Sequence, residues 1–276
     1  MKAAYYQNFG SASEVLKIGD LSVAVPQDDE VLVRLYASGI NPSDVKIRAG
    51  QRGKGIDFPY IIPHHDGAGI IESVGKNIAN SRVGERVWVH NACWHRHHGT
   101  AAEYIALPAE LCLPLPDNTS FVEGACLGVP AITAYASLFA FEPIKGKTIL
   151  VTGGAGSVGN VAIQMAKYSG ATVITTVSSA AKGKHAKFAG ADLVINYRQE
   201  DVIKIIKEYT NNNGVDHIVE VEFGDNLKIS KEILAPHGTI AAYGSSTMPI
   251  PELPFYPLMF KNIRMKFVFV YELPHC

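Results

Sequence analysis

The sequence contains no C-x-x-C pair, and its four cysteines, Cys93, Cys112, Cys126 and Cys276, stand 19, 14 and 150 residues apart. That spacing offers neither a zinc ribbon nor a disulfide framework and fits a reducing, cytoplasmic setting. Charge is scarce and balanced. Lys and Arg number 25, Asp and Glu 26, the net charge is −1, and no block of one sign occurs. Bulk charge therefore points away from a nucleic-acid partner. Long unbroken apolar runs are missing as well. The two that come nearest to a membrane span, 124–141 and 148–166, are interrupted by Gly128, Pro130, Thr133 and Ser137 in the first and by four glycines in the second. Both read as buried loop-plus-helix segments, and no membrane contact is expected. The opening residues, Met1-Lys2-Ala3-Ala4-Tyr5-Tyr6, lack the apolar core and cleavage site of a signal peptide.

What is present reads as an α/β protein of two domains. With 276 residues, 47% of them hydrophobic, the chain can bury two cores. Up to about residue 115 the patterns are short strands. Val31, Val33, Leu35 and Ala37 alternate with other residues after the acidic turn Asp28-Asp29-Glu30, and 69–74, 86–90 and 101–107 are further candidates. Many short strands with Gly and Pro turns predict a β-rich, barrel-like domain over 1–118. From 119 the style changes. Ser120 and Glu123 have capping-box spacing, and Pro130 suits the first turn of a helix running to about 139. Beyond it, strands at 148–152, 172–177, 193–196, 217–221, 239–243 and 265–271 alternate with helical stripes. That rhythm predicts a doubly wound parallel sheet over 119–276.

Gly154-Ala155-Gly156-Ser157-Val158-Gly159 is G-x-G-x-x-G, placed after a strand and at the opening of a helix. Glycine permits the tight turn and a close approach, and the helix N-terminus offers unpaired N–H groups and partial positive charge to a pyrophosphate. A glycine-rich turn without a ligand is the plainer alternative. The next strand chooses between dinucleotides. NAD sites usually carry Asp or Glu about 20 residues further on, against the ribose 2′-hydroxyl. Here no acid stands between Glu142 and Asp192, and the strand ends in Thr176-Val177-Ser178-Ser179-Ala180-Ala181-Lys182-Gly183-Lys184. Hydroxyl and ammonium groups suit a 2′-phosphate, so NADPH is the expected cofactor. Lys182 and Lys184 also fit a solvated helix face.

Several segments together carry a resemblance. They are Ser38-Gly39-Ile40-Asn41-Pro42-Ser43-Asp44, Asp66-Gly67-Ala68-Gly69-Ile70-Ile71-Glu72-Ser73-Val74-Gly75, Val83-Gly84-Glu85-Arg86-Val87, Gly99-Thr100-Ala101-Ala102-Glu103-Tyr104, the glycine turn, and Gly190-Ala191-Asp192-Leu193-Val194-Ile195-Asn196-Tyr197. From Met1 to about Pro274 the chain resembles the medium-chain dehydrogenase/reductase superfamily, and within it the zinc-independent quinone oxidoreductase (zeta-crystallin-like) branch. The resemblance implies a GroES-like catalytic domain over 1–118 and a Rossmann NADP-binding domain over 119–276. It implies hydride transfer from NADPH to a quinone or related conjugated carbonyl, and a homodimer formed through the last Rossmann strand. By motif position, Gly154, Gly156, Ser157, Val158 and Gly159 would follow the pyrophosphate. Ser178, Lys182 and Tyr197 would hold the 2′-phosphate, and Thr133, Asn41, Gly244 and Ser245 would lie toward the nicotinamide.

Zinc-dependent members carry Cys at the position of Asn41, His at that of His65 and a second Cys near Val129. Only the histidine is present, and a catalytic zinc needs three protein ligands, so no metal is expected. Six of the ten histidines nevertheless fall between His64 and His98; they read either as a polar surface loop or as a metal site. Asn41 is a candidate donor to substrate or cofactor, or simply the turn residue of Asn-Pro. Lys46 and Arg52 stand where relatives often place tyrosines in the substrate pocket; two cations there suit a polar or anionic acceptor, and equally a solvated loop. Relatives also continue beyond the equivalent of Cys276, so the chain reads as short at its C-terminus. Two further readings stay open: an alkenal or enone double-bond reductase, and a non-catalytic NADPH-binding protein, crystallin-like or truncated.

Overall fold

The computed structural model describes residues 1–51 and 55–273, and the chain divides into two compact units, Met1–Val129 and Pro130–Cys276. Arg52 lies outside the described residues. In the first unit, β1 (Lys2–Tyr5) and β2 (Lys17–Asp20) pair antiparallel across the one-turn helix α1 (Ala12–Val15). None of these three carries a strong sequence signal, because each is only four residues long. The main sheet follows. It is built from β3 (Glu30–Gly39), β4 (Asp66–Val74), β5 (Arg86–Val89), β6 (Tyr104–Pro108) and β7 (Cys112–Pro114), in the order β6-β3-β4-β5-β7 with every pair antiparallel. The alternation in β3 works as expected: Val31 and Val33 are fully buried beside Ile71, Val87, Ile105 and Leu107, while Arg34 and Tyr36 face out.

Two features of this unit place chemistry. The β3–β4 register sets Gly39 opposite Asp66, and β3 then runs straight into α2 (Pro42–Arg48), whose N-cap is Asn41 and whose first residue is a proline. The capping box at Ser120 also forms. Ser120 Oγ accepts the Glu123 N–H at 3.2 Å and Glu123 Oε2 accepts the Ser120 N–H at 2.8 Å, opening α3 (Phe121–Gly124). Phe121 then stacks on Tyr36 at 4.7 Å, with the Arg86 guanidinium 4.3 Å from its centroid.

The second unit begins within α4 (Gly128–Leu138) and alternates thereafter: β8 (Thr148–Val151), α5 (Ser157–Tyr168), β9 (Thr172–Val177), α6 (Ala180–Phe188), β10 (Leu193–Asn196), α7 (Val202–Tyr209), β11 (Val215–Glu220), α8 (Phe223–Ile233), β12 (Leu234–Ala242), α9 (Phe255–Phe260) and β13 (Arg264–Phe267). The strand order is β10-β9-β8-β11-β12-β13, all parallel. Counted from β8 this is 3-2-1-4-5-6, the doubly wound dinucleotide-binding order, whose direction reverses between β8 and β11. Each strand serves two cores. Ile149, Val151 and Val173 pack with Ala162, Ile163 and Ala166 of α5, while Leu150, Ile174 and Ile218 pack with Ile206 of α7 and Leu227 of α8.

The last strand is shorter than the pattern over 265–271 suggests. It ends at Phe267; the Val268 N–H still donates to the Ala242 carbonyl, and the chain then leaves the sheet in a 3₁₀ turn at Val270–Glu272. β12 itself ends at Ala242, the partner of Phe267, so no ladder remains for residues 268–271 to extend. Helix α9 is also absent from the pattern, since its residues, Phe-Tyr-Pro-Leu-Met-Phe, are nearly all apolar and carry no helical period.

Candidate active site

The glycine turn connects β8 to α5 and assigns its glycines distinct tasks. Gly153, outside the G-x-G-x-x-G, has the positive φ of +67° that lets the chain reverse. Gly154 is buried, and a Cβ there would lie 2.0 Å from Thr175 Oγ1 and 2.7 Å from Ile163 Cδ1; it exists so that turn, strand and helix can touch. Gly159 repeats this against the Gly153 carbonyl, at 2.4 Å. Gly156, the N-cap of α5, is different. It is exposed, and a Cβ there would meet only the Gly153 carbonyl, at 3.3 Å. Its bareness answers to less internal crowding than that of Gly154 or Gly159 and keeps the first turn of the helix accessible. There the N–H groups of Ser157, Val158 and Gly159 have no intrahelical acceptor.

Beside the turn, the ends of β9 and β10 lie paired, Val177 opposite Asn196. Ser178, Lys182 and Tyr197 all follow directly from these ends. Lys182 Nζ donates to Ser178 Oγ at 3.0 Å, and Ser179 caps α6 by accepting the Lys182 N–H. Tyr197 is half exposed and helps to line a cavity of about 730 Å³, whose other walls include Thr152, Gly153, Thr176 and Val202. The cavity opens where the strand order reverses, the usual place for a ligand in such a sheet.

Thr133 is buried in α4. Gly244 follows β12, and its carbonyl accepts the Phe223 N–H at 2.9 Å. Ser245 Oγ accepts the Gly224 N–H at 2.9 Å and donates to the Met248 carbonyl at 2.5 Å, so its single proton is committed to the loop.

In the first unit, Asn41 is buried, as the N-cap of α2. Its N–H donates to Asp44 Oδ2 at 2.7 Å and its Nδ2 to Asp66 Oδ2 at 2.8 Å. The Val129 N–H also donates to Asp66, at 2.9 Å. One amide hydrogen of Asn41 is thereby held within the protein. Asp66 is the residue that sequence reasoning missed; its only signal is its position opposite Gly39 at the head of β4. Burial pushes its carboxyl up to about 7, against its hydrogen bonds from Asn41 and Val129, and the nearby Asp44 adds to the rise. Burial likewise raises Asp44 to about 6, and lowers His65 to about 4 with help from His64. His65 Nε2 lies 3.7 Å from Asp44 Oδ1, yet burial outweighs attraction for both partners and drives each toward its neutral form. Lys46 is half-buried on α2.

Beyond this cluster, His90 packs against Trp88 and His95 against Trp94, while His97 and His98 join a group of aromatic rings. His97 sits between Phe58 at 4.8 Å and His98 at 4.0 Å, and His98 Nε2 meets the Tyr60 hydroxyl at 3.1 Å. Among the described residues no three His, Cys, Asp or Glu side chains converge as metal ligands. At the two positions where zinc-dependent relatives place thiolates, the chain has an amide that donates to Asp66 and a valine. That donor set does not fit a catalytic zinc.

Fold, glycine turn and strand-reversal cavity define a dinucleotide-fold oxidoreductase with a β-rich companion unit. Comparison with known proteins agrees. Residues 27–117 match the family described as "Alcohol dehydrogenase GroES-like domain", and 157–276 match "Zinc-binding dehydrogenase". The chain is 34% identical over 247 residues to the quinone oxidoreductase of Homo sapiens, covering 89% of this chain and 73% of that one. It is 38% identical over 209 residues to the 2-methylene-furan-3-one reductase of Solanum lycopersicum, covering 73% and 53%. Among solved structures it is similar to an NAD-dependent alcohol dehydrogenase (TM-score 0.88, 30% identity, 97% and 84% covered). It is also similar to the Escherichia coli quinone oxidoreductase complexed with NADPH (TM-score 0.83, 27% identity, 98% and 81% covered). The chain belongs to the medium-chain dehydrogenase/reductase superfamily, in its quinone oxidoreductase branch.

Two expectations follow from this geometry. Gly156→Ala should leave the melting temperature within about 2 °C of wild type while weakening dinucleotide binding roughly tenfold or more, whereas Gly154→Ala should cost about 1–3 kcal/mol of stability through overpacking. Thermal melts and fluorescence titration of both variants separate the two roles. Asp66 gives the second. Its carboxyl binds a proton more tightly folded (about 7) than unfolded (3.8), so its contribution is fully present below pH 3.8 and is lost as pH rises toward 7. Asp66→Asn should remove that decline, read as the difference in denaturant midpoint between wild type and variant across pH 4 to 8; parallel curves contradict it.

Proposed function

We propose that the protein is an NADPH-dependent reductase of conjugated carbonyl compounds, with quinones as the acceptors, working without a metal ion. The observation that carries the proposal is the open cradle at Gly156, combined with strand ends that carry Ser178 and Lys182 where an acid would bind a ribose diol. The similarity to an NAD-dependent alcohol dehydrogenase leaves the cofactor question to these residues. NADPH, when bound, supplies the hydride. The first turn of α5 holds its pyrophosphate by N–H groups and partial positive charge. Ser178, Lys182 and Tyr197 take the 2′-phosphate. The remaining amide hydrogen of Asn41 is a donor for an oxygen of acceptor or cofactor, and Lys46 and Arg52 favour an acceptor with polar substituents. Lacking a Lewis acid, such a site lowers the barrier by alignment and by hydrogen bonds to the oxygen that gains charge.

The enone reading keeps a specific support, the 38% identity to a 2-methylene-furan-3-one reductase. NADPH oxidation followed by absorbance separates the two. Turnover on benzo- and naphthoquinones that exceeds turnover on alkenals and enones supports the quinone reading, and the reverse order replaces it. NADPH should bind at least about tenfold tighter than NADH, and Lys182→Glu should erase most of that gap; equal affinities in wild type contradict the cofactor assignment.

The proposal includes a homodimer through β13. This strand is the edge of the sheet, with Phe267 69% exposed at its end, and beside it Phe269, past the strand, and Phe255, Tyr256 and Phe260 of α9 are also exposed. Light scattering should give twice the chain mass for wild type and the chain mass for Phe267→Glu; a monomeric wild type rejects the dimer.

A further inference from the structure

Three loops that leave the carboxyl ends of the second unit's sheet are tied to one residue. Glu220 is the last residue of β11 and is 0% exposed. Its Oε1 accepts three hydrogen bonds: from Thr152 Oγ1 at 2.9 Å, from the Glu222 N–H at 2.7 Å and from Asn226 Nδ2 at 2.9 Å. Its main-chain carbonyl accepts the Tyr243 N–H at 3.0 Å. Thr152 is the residue before Gly153, and its hydroxyl accepts the Val221 N–H at 3.0 Å in return. Glu222 and Asn226 belong to the opening of α8. One carboxyl oxygen therefore joins the start of the glycine turn to the start of the next crossover helix.

The other oxygen does nothing comparable. Among the described residues Oε2 is buried without a hydrogen-bond partner. A buried polar atom without a partner is costly, and an apolar side chain of similar volume would avoid that cost. Stability therefore does not account for a carboxyl here. The turn it restrains does. Gly153 has no side chain to anchor it. On one side the turn is fastened to Thr176, whose hydroxyl accepts the Gly153 N–H at 3.3 Å and whose carbonyl accepts the Gly154 N–H at 3.2 Å. On the other side Thr152 is held to β11 by its N–H, which donates to the Val219 carbonyl at 3.0 Å, and by its hydroxyl, which donates to Glu220 and accepts the Val221 N–H. Glu220 also lines the 730 Å³ cavity with Thr152, Gly153 and Thr176.

We propose that Glu220 is a positioning residue for dinucleotide binding, fixing the glycine turn through Thr152 so that the phosphate cradle and the cavity wall are preformed together. This rests on the NADPH reading above. Oε1 acts as an acceptor, which an amide oxygen can replace. A preformed loop binds more tightly because less ordering remains to be done when the ligand arrives.

The test is an NADPH fluorescence titration on wild type and four variants, each first shown to be folded by near-ultraviolet dichroism. Glu220→Gln, which keeps the acceptor, should bind within about threefold of wild type. Glu220→Leu should bind roughly tenfold or more weakly, and Thr152→Val, which removes the donor to Glu220 together with the acceptor of the Val221 N–H, should fall between. In the double variant Glu220→Leu/Thr152→Val the loss should be clearly less than the product of the single losses, as for two residues acting as a unit. Hydrogen exchange without ligand should be faster over 152–160 in the Leu variant. A Leu variant that binds like wild type, a Gln variant as weak as Leu, or independent effects at 152 and 220 overturns the inference. If Glu220→Leu does not fold, Thr152→Val decides: unchanged binding overturns the inference and a several-fold loss supports it. A wild type that shows no saturable binding overturns the NADPH reading and this inference with it.

Discussion

Everything in the second unit depends on how closely helix α5 approaches β8 and β9. Helix N-termini attract anions only over the first turn, and the field falls off within it. A phosphate must therefore reach the backbone itself. Two kinds of glycine make that approach possible, and they answer to different neighbours. Gly154 and Gly159 are bare because the protein needs the space, the first against Thr175 and Ile163, the second against the Gly153 carbonyl. Gly156 is the exposed one of the three, where a Cβ would meet just the Gly153 carbonyl, at 3.3 Å. It is therefore the glycine of the motif least explained by internal packing, and the one at which a bare backbone leaves room for a ligand to approach.

The first unit meets a different constraint. Its antiparallel sheet ends by burying two carboxyls and an imidazole around the N-cap of α2. Each departs from its ordinary protonation in the direction that removes charge, because desolvation exceeds the 3.7 Å attraction between Asp44 and His65. The cluster is thus better described as a network of nearly neutral hydrogen-bonding groups than as an ion pair. Its effect on Asn41 is definite. The backbone N–H is spent on Asp44, half of the amide's donor capacity is spent on Asp66, and the side chain is fixed in place. A fixed side chain with one hydrogen left can point it at a ligand without losing rotamer entropy on binding.

Much of this was legible in the sequence, and the boundary of legibility has a physical cause. Signals that act over a few residues were readable: the two-residue alternation at Val31 and Val33, the capping box of Ser120 and Glu123, the strand–turn–helix setting of the glycine motif, and the missing acid between Glu142 and Asp192. The short ribbon β1–β2 and helix α9 were not, since neither carries a periodic apolar face. The last strand was overread because its apolar residues continue past Phe267, whose partner Ala242 is the last residue of β12. Asp66 and Glu220 were invisible for another reason. Their roles are created by partners far along the chain, Asn41 and Val129 for one, Thr152 and Asn226 for the other, and no local pattern announces such a meeting.

The choice between the two dinucleotides also has a scale that can be checked against the geometry. Lys182 is solvent-exposed and is held to Ser178 at 3.0 Å on the surface of the sheet end. A unit charge pair about 4 Å apart gains roughly 1 kcal/mol in bulk water and about 4 kcal/mol near a protein surface. A tenfold preference needs only about 1.4 kcal/mol, close to the lower of these figures. One ordered ammonium with a neighbouring hydroxyl is therefore sufficient, and a buried charge site is not required. The same exposure makes the preference dependent on salt, because an ion pair at the surface is screened once the Debye length shrinks to about 10 Å at 0.1 M. An acid in place of Lys182 would change the sign of the proposed interaction as well as remove it, so on this reading the discrimination would rest as much on what this strand end leaves out as on what it supplies.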